Sequence, residues 1–205
     1  MWRYGFMELY EAIATRRSTR KYKDQQITKE QLDKILAAGR MAPTAGDNET
    51  THFIVIQNKE ILDELWKMVQ EEFARMDETT EKNPAIRGSI KSSKGGHYIF
   101  HYNAPTLIVT ANREKYANNI ADCACAVENM MLEANELDLA SCWVNQLRWL
   151  AKNDRVRGYL TKLGMKEEEV ACAGVVVGYA DTEDGLPNRK VRLDELKGNP
   201  VTYIQ

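Results

Sequence analysis

The residues that put the most chemistry into the least space are Thr15-Arg16-Arg17-Ser18-Thr19-Arg20, three guanidiniums and two hydroxyls and one further threonine hydroxyl where a helical pattern gives out. Each guanidinium presents its donors in a planar fork suited to phosphate oxygens, and hydroxyls reach acceptors that the arginines miss. Such a set is a cradle for a phosphorylated ligand. It is equally the composition of a solvated helix end, where cations complement the negative end of the helix dipole. The rest of the chain has to decide between the two.

Other chemistries find little support. No G-x-G-x-x-G follows a strand pattern and no G-x-x-x-x-G-K-[ST] occurs, so neither a dinucleotide cradle nor a P-loop is offered. Gly174 and Gly178 are spaced for close packing of a strand instead. Cys123, Cys125, Cys142 and Cys172 lie in apolar segments without a C-x-x-C pair and read as structural thiols. His52, His97 and His101 are not spaced with them as zinc ligands, and no metal is expected. No Ser-His-Asp or Cys-His set can be assembled, which leaves the chemistry to a cofactor. The 205 residues carry 28 basic and 30 acidic side chains, a balance that favours neither nucleic acid nor an anionic membrane surface. No apolar run approaches the roughly 20 residues of a spanning helix, and a soluble cytoplasmic protein of one domain is expected.

The elements that must position the cluster follow from periodicity. A helix is predicted over 7–15, and Thr28-Lys29-Glu30-Gln31 is a capping box that opens a second, closed by Gly39 and Pro43. His52 to Ile56 reads as a strand, followed from Asn58 by a helix with Ile61, Leu65, Val69 and Phe73 on one face. Over 77–96 the periodicity fades into a polar stretch, expected to be a mobile excursion or lid. His97, Tyr98, Phe100 and His101 flank it as candidates for a substrate entrance. A strand over 106–110 leads into a helix lined by Ile120, Cys123, Ala124, Val127, Met131 and Ala134, whose wide apolar surface suits a central or intersubunit position. Strands over 140–144 and 170–179 enclose a short helix over 154–163 that ends at Gly164. The alternation argues for a sheet with helices on its faces. Residues 181–205 hold few apolar positions until Val201-Thr202-Tyr203-Ile204 and must lie along something else, such as a second subunit.

Five segments, in order, resemble the flavin-dependent nitroreductases, which bind FMN. Ala12 to Tyr22 is similar to the family's R-R-S-x-R-x-[FY] opening. Ala38 to Ala45, with His52 to Ile56, resembles its A-P-S-x-x-N-x-Q-P-W-x-F-x-V-V stretch. Ala104 to Val109 follows, and Leu137 to Trp143 is close to G-L-G-x-C-W. Val177-Gly178-Tyr179 and Leu186 to Lys190 match the closing V-G-Y and P-x-R-K elements. The resemblance implies an α+β fold, a three-layer α/β/α sandwich with a central mixed, mostly antiparallel sheet, one FMN-binding domain over 1–205, and a C-terminal arm, 181–205, exchanged in a homodimer with FMN at the interface.

It also implies roles. Arg16, Arg17 and Ser18 would take the FMN phosphate and ribityl region, and Arg189 and Lys190 would meet the same phosphate from about 170 residues away. Arg20 would sit at the pyrimidine edge, where a fixed cation stabilises the charge of the reduced ring. Trp143, Val144, Asn145 and Gln146 would lie along the ring, Asn145 through its backbone N–H near N5. Thr44, Ala45, Asp47 and Asn48 would complete the contacts, with Arg20 and Asn145 nearest the chemistry. The implied reaction is ping-pong: NADH or NADPH gives hydride to flavin N5, then a nitroaromatic, quinone or similar small acceptor takes it. The chain departs from the pattern at Asp47-Asn48-Glu49-Thr50-Thr51, which lacks the family's Gln, Pro and Trp. Either Asp47 sets a carboxylate by the flavin or a loop shift brings Asn48 into its place. The Gly-Gly after C-W-[IV] is replaced by Asn145-Gln146. These departures keep open a same-fold flavoenzyme with other chemistry, such as a dehalogenase, an enoate reductase or an oxidative flavoenzyme, and a non-catalytic FMN-binding protein.

Overall fold

The computed structural model describes residues 7–191 and 199–205. The elements in order are α1 (Leu9–Thr15), α2 (Lys29–Arg40), a 3-10 turn (Ala45–Asp47), β1 (His52–Ile56), α3 (Lys59–Arg75), α4 (Pro84–Lys94), β2 (Thr106–Arg113), α5 (Asn119–Glu136), β3 (Ala140–Val144), α6 (Gln146–Trp149), α7 (Asp154–Lys162) and β4 (Glu169–Gly178).

Local sequence explains most of the starts and stops. The Thr28 hydroxyl accepts from the Gln31 N–H while the Gln31 side chain accepts from the Thr28 N–H, the reciprocal capping box the sequence announced. Asn58 and Asn153 cap α3 and α7 by accepting from the N–H groups of Ile61 and Val156 at 3.1 and 3.0 Å. Gly164, at φ 110°, ends α7.

The four strands are antiparallel in the order β1-β2-β4-β3. One parallel pairing among the described residues is the isolated bridge between Ser18 and Ser141. The central strands β2 and β4 are buried along nearly their whole length because helices cover both faces. On one face Ile54, Leu107, Val109 and Val176 pack with Leu65, Val69 and Phe73 of α3, Ile90 of α4 and Leu160 of α7. On the other, Ile108, Val175 and Val177 pack with Ile35 of α2 and Val127, Met130 and Ala134 of α5. This is the three-layer α+β arrangement expected. Between β2 and β4 the register shifts so that Thr110 faces Ala173 and Ala111 faces Ala171, leaving Cys172 as the bulged residue.

Several expectations change. Residues 84–94 of the supposed irregular excursion are helix α4, capped by Asn83 and started by Pro84, with Ser89, Ile90 and Ser93 buried. Two small serines stand where apolar residues would have marked the face. Gly39 does not close α2 but lies inside it, where a Cβ would come within 2.8 Å of Met130 Cγ on α5. Cys125 faces outward, unlike the three buried cysteines. Residues 201–204 are exposed and carry no strand, since no sheet edge of their own chain lies beside them. Residues 1–6 and 192–198, part of the expected arm, fall outside the described set.

The strand glycines do serve close packing. A Cβ at Gly178 would stand 2.8 Å from Pro105 Cδ and 3.1 Å from Tyr22 Cδ1. Neither ring can swing away, so Gly178→Ala is expected to cost about 1–3 kcal/mol through overpacking, read as a lowered midpoint in urea unfolding.

Candidate active site

Helix α1 ends at Thr15, and the chain then runs extended along the outer edge of β3. Ser18 bridges Ser141, and the Thr19 N–H donates to the Ser141 carbonyl at 2.9 Å. Further on, the Lys23 N–H donates to Tyr179 O at 3.0 Å. The cationic cluster is therefore an edge segment of the sheet, fixed by backbone bonds, and not a loose helix end. Arg16 Nε lies 3.6 Å from Glu128 of α5. Arg17 has no partner among the described residues, and its fork is unspent. The Arg20 guanidinium lies 5.8 Å above the Tyr102 ring and borders a cavity of about 390 Å³ with Tyr22, His97, Tyr98 and Asn103. Tyr102, as a hydrogen-bonding phenol, and Cys142 hold the Arg20 pKa above its ordinary value. Burial pushes the Cys142 thiol up, against the pull of Arg20, Ser18 and Arg16, which places these three side chains around one point of β3.

At the far end of β3, Asn145 Oδ1 accepts from Trp143 Nε1 at 2.8 Å. The side chain of Asn145 thus orients the indole, while its carbonyl accepts from the Trp149 N–H at 2.9 Å. Val144 is buried beneath, touching the space over Gly174. Gln146 opens α6, is buried, and donates from Nε2 to the Tyr98 hydroxyl, which also pairs with Ser89 of α4 at 2.8 Å. The residue replacing the family's glycine is thereby tied to α4. Burial raises the Tyr98 pKa and keeps the phenol protonated.

The remaining predicted residues are not where one chain could use them together. Arg16 to Arg20 runs outside β3 at one edge of the sheet, whereas Thr44 to Asn48 leads into β1 at the other. Its anchor is Asp122, buried in the first turn of α5, which accepts from the Ala45 N–H at 3.2 Å and from Tyr116 Oη at 2.9 Å. Asn48 turns back and donates to Ala45 O at 2.6 Å. Asp47 and Asn48 are both exposed, Asp47 at φ 54° in the left-handed region that aspartate tolerates.

Arg189 departs furthest from its expected role. Its Nε donates to Asn135 Oδ1 at 3.2 Å, another nitrogen donates to the Asn135 carbonyl, and Nη1 lies 2.6 Å from Asp138 Oδ1. Asn135 in turn donates to Ala12 O and Thr15 Oγ1 at 3.1 and 3.0 Å. Asn135 thus joins the end of α1 to the Arg189 guanidinium, while Arg16 pairs with Glu128, seven residues or about 10 Å away along α5. Lys190 is exposed, and its N–H donates to Asn188 Oδ1 at 3.0 Å. Phe100 is buried, His101 is buried at the wall of a second cavity that Asp24, Lys59 and Asp63 also line, and His97 and Tyr98 border the Arg20 cavity.

Comparison with known proteins decides what the arrangement is. The Nitroreductase family profile matches residues 13–179. The chain belongs to the nitroreductase family. A family relative from Methanothermobacter thermautotrophicus, named for NADH dehydrogenase and NAD(P)H nitroreductase activity, is 30% identical, covering 87% of this chain and 81% of that protein. A solved nitroreductase with bound FMN from Bacteroides fragilis is 35% identical, covers 97% of this chain and 100% of that one, and superposes with a TM-score of 0.82. An FMN-dependent nitroreductase from Clostridium difficile is 27% identical, with 96% and 99% covered and a TM-score of 0.69.

Three positions that organise this nitroreductase fold escaped the sequence. Asn135 sat unremarked among apolar residues of α5, although an amide on such a face signals a buried hydrogen-bonding hub. Asp122 carried the same signal one turn into that helix. Tyr102 left none, since its left-handed backbone is not written in its side chain. Among the described residues no group of His, Cys, Asp or Glu is arranged to hold a metal, and no helix is long and apolar enough to cross a membrane.

Proposed function

We propose that two copies of this chain build two FMN sites and pass two electrons from NADH or NADPH to a nitroaromatic, quinone or similar small acceptor in ping-pong order. Membership of the family supports an FMN-dependent NAD(P)H oxidoreductase in general terms. The finer reading rests on one observation: the two halves of the expected flavin contact set lie on opposite edges of one sheet. A two-fold axis supplies the missing half to each site, Thr44, Ala45, Asp47 and Asn48 of one copy meeting Arg16 to Arg20 and Trp143 to Gln146 of the other. Exposed apolar side chains support such pairing. Leu9, Tyr10 and Ile13 of α1 are 55–69% exposed, and Tyr203 and Ile204 of the proposed arm, 181–205, are 82% and 96% exposed.

The donor set fits the cofactor. Arg17 has an unspent fork for a phosphate, and the Arg20 cavity combines a guanidinium with tyrosine walls, a match for a planar heterocycle that becomes anionic. Bound FMN would supply the two-electron exchange between nicotinamide and acceptor. The protein's residues orient and polarise: Arg20 places positive charge at the ring edge, Asn145 offers its backbone N–H, and the indole held by Asn145 Oδ1 walls the site. Arg189, spent on Asn135 and Asp138, holds the late segment against α5 instead of donating to phosphate.

The test is anaerobic. The purified protein, reconstituted with FMN, is expected to bleach with NADH or NADPH and to recolour with a nitroaromatic or quinone, giving parallel double-reciprocal plots. A protein that takes up no FMN, or stays yellow with both reductants, would falsify the proposal. Arg20→Ala is expected to slow anaerobic reduction at least tenfold, about 1.4 kcal/mol of barrier, while FMN affinity changes less.

A further inference from the structure

We infer that Tyr102 is a positioning residue for Arg20, holding the guanidinium in place through the face of its ring; this rests on the FMN reading above. Three observations carry it. The guanidinium carbon stands 5.8 Å from the Tyr102 ring centroid, and among the described residues Arg20 forms no ion pair, so the ring is what steadies it. Both side chains border the same cavity of about 390 Å³. The third observation is backbone geometry.

Tyr102 sits at φ 54° and Asn103 at φ 58°, two successive residues in the left-handed region. Asparagine tolerates that conformation through its short polar side chain, but a bulky tyrosine there is strained, at a cost on the order of 1–2 kcal/mol. The conformation is imposed by two interlocking turns, Tyr102 N–H to Ile99 O at 3.1 Å and Ala104 N–H to His101 O at 2.9 Å, with Phe100 and Ala104 buried on either side. Glycine would meet the same turns without strain. A tyrosine where glycine is easier points to use of the side chain, which packs in part against the core and carries Arg20 over its face. A guanidinium over an aromatic face gains about 0.5–2 kcal/mol and loses freedom to swing into solvent. The consequence is electrostatic preorganisation: Arg20 need not be ordered each time negative charge develops at the ring edge.

Thermal stability and flavin midpoint potential of the FMN-loaded protein separate this from a structural role. Tyr102→Gly is expected to stay folded in a thermal melt, relieved strain offsetting lost packing, yet to lose about tenfold of its preference for reduced over oxidised FMN, a midpoint about 30 mV more negative. Tyr102→Phe, which keeps the ring face and gives up only the phenol oxygen, is expected to restore the part of that loss that the face carries. Adding Tyr102→Gly to Arg20→Ala should shift the midpoint no further than Arg20→Ala alone. An unchanged midpoint in Tyr102→Gly, a shift as large in Tyr102→Phe, or additive shifts in the double variant each overturn the inference. Failure to bind FMN at all would instead overturn the functional reading on which it rests.

Discussion

Asn135→Leu is expected to lower stability by about 3 kcal/mol and FMN affinity by at least tenfold. Asn135 is 3% exposed on α5 and holds three chain segments at once. Its Nδ2 donates to Ala12 O and to Thr15 Oγ1, which close α1 just before Arg16. Its Oδ1 accepts from Arg189 Nε. Leucine has similar volume, so the change removes hydrogen bonds without opening a cavity. The Ala12 carbonyl keeps the Arg16 N–H at 3.1 Å, whereas the Thr15 oxygen, whose own proton goes to Glu11 O at 2.6 Å, is left buried without a donor and Arg189 Nε without its acceptor. Each such group costs about 1–3 kcal/mol. For a chain of this size about 3 kcal/mol corresponds to a melting temperature lower by roughly 6–12 °C. The functional consequence follows from position. Arg16 to Arg20 inherits its placement from the end of α1, so loosening α1 against α5 misplaces every cation of the segment. Differential scanning fluorimetry and a fluorescence titration with FMN check both halves. If the melting temperature falls while FMN affinity is unchanged, Asn135 supports the fold alone and does not organise the site.

Where the sequence was legible, short-range rules governed the outcome. The capping box at Thr28, the asparagine cap at Asn58, Gly164 beyond α7 and the β-branched runs of β1, β2 and β4 each act within a few residues, and each lies where the pattern puts it. The cationic cluster was legible as chemistry but not as geometry. Nothing in Arg16-Arg17-Ser18 tells that its backbone joins β3, because that pairing is made with Ser141, over 120 residues away. The same limit explains Arg189, whose partners Asn135 and Asp138 became neighbours only through the fold. It explains α4 as well: Ser89 and Ser93 are buried as small residues against α3, and a pattern scored by hydrophobicity reads them as surface.

His101 supplies the other large effect, and it is one of pH. The imidazole is 3% exposed, packs edge-on against Phe100 with ring centroids 5.6 Å apart, and neither ring nitrogen meets a hydrogen-bond partner. Burial pulls its pKa from 6.5 down to about 4; the Ala104 carbonyl and Asp63 of α3 oppose this, and Lys59 of α3 adds to it. Asp63 is itself held ionised by Lys59 and Trp66, and Asp24 borders the same cavity, so the charges facing the ring are these three. The unfolded chain therefore takes up a proton near pH 6.5, and the folded chain only near pH 4. Between the two the unfolded state binds more protons, so stability rises with pH; the contribution is complete above about 6.5 and is lost as pH falls towards 4. About two and a half pH units correspond to roughly 3 kcal/mol. His101→Leu removes this titration and an unpaired polar group together, so it should match or exceed wild-type stability at pH 4–5 and show a shallower rise between pH 4 and 7. Urea unfolding of both proteins at pH 4, 5, 6 and 7, followed by circular dichroism, measures the difference. Parallel curves would mean that the ring is already solvated or protonated in the folded state; converging curves on raising the pH would place the acid sensitivity of this fold at one buried imidazole behind the strained turn that presents Tyr102 to Arg20.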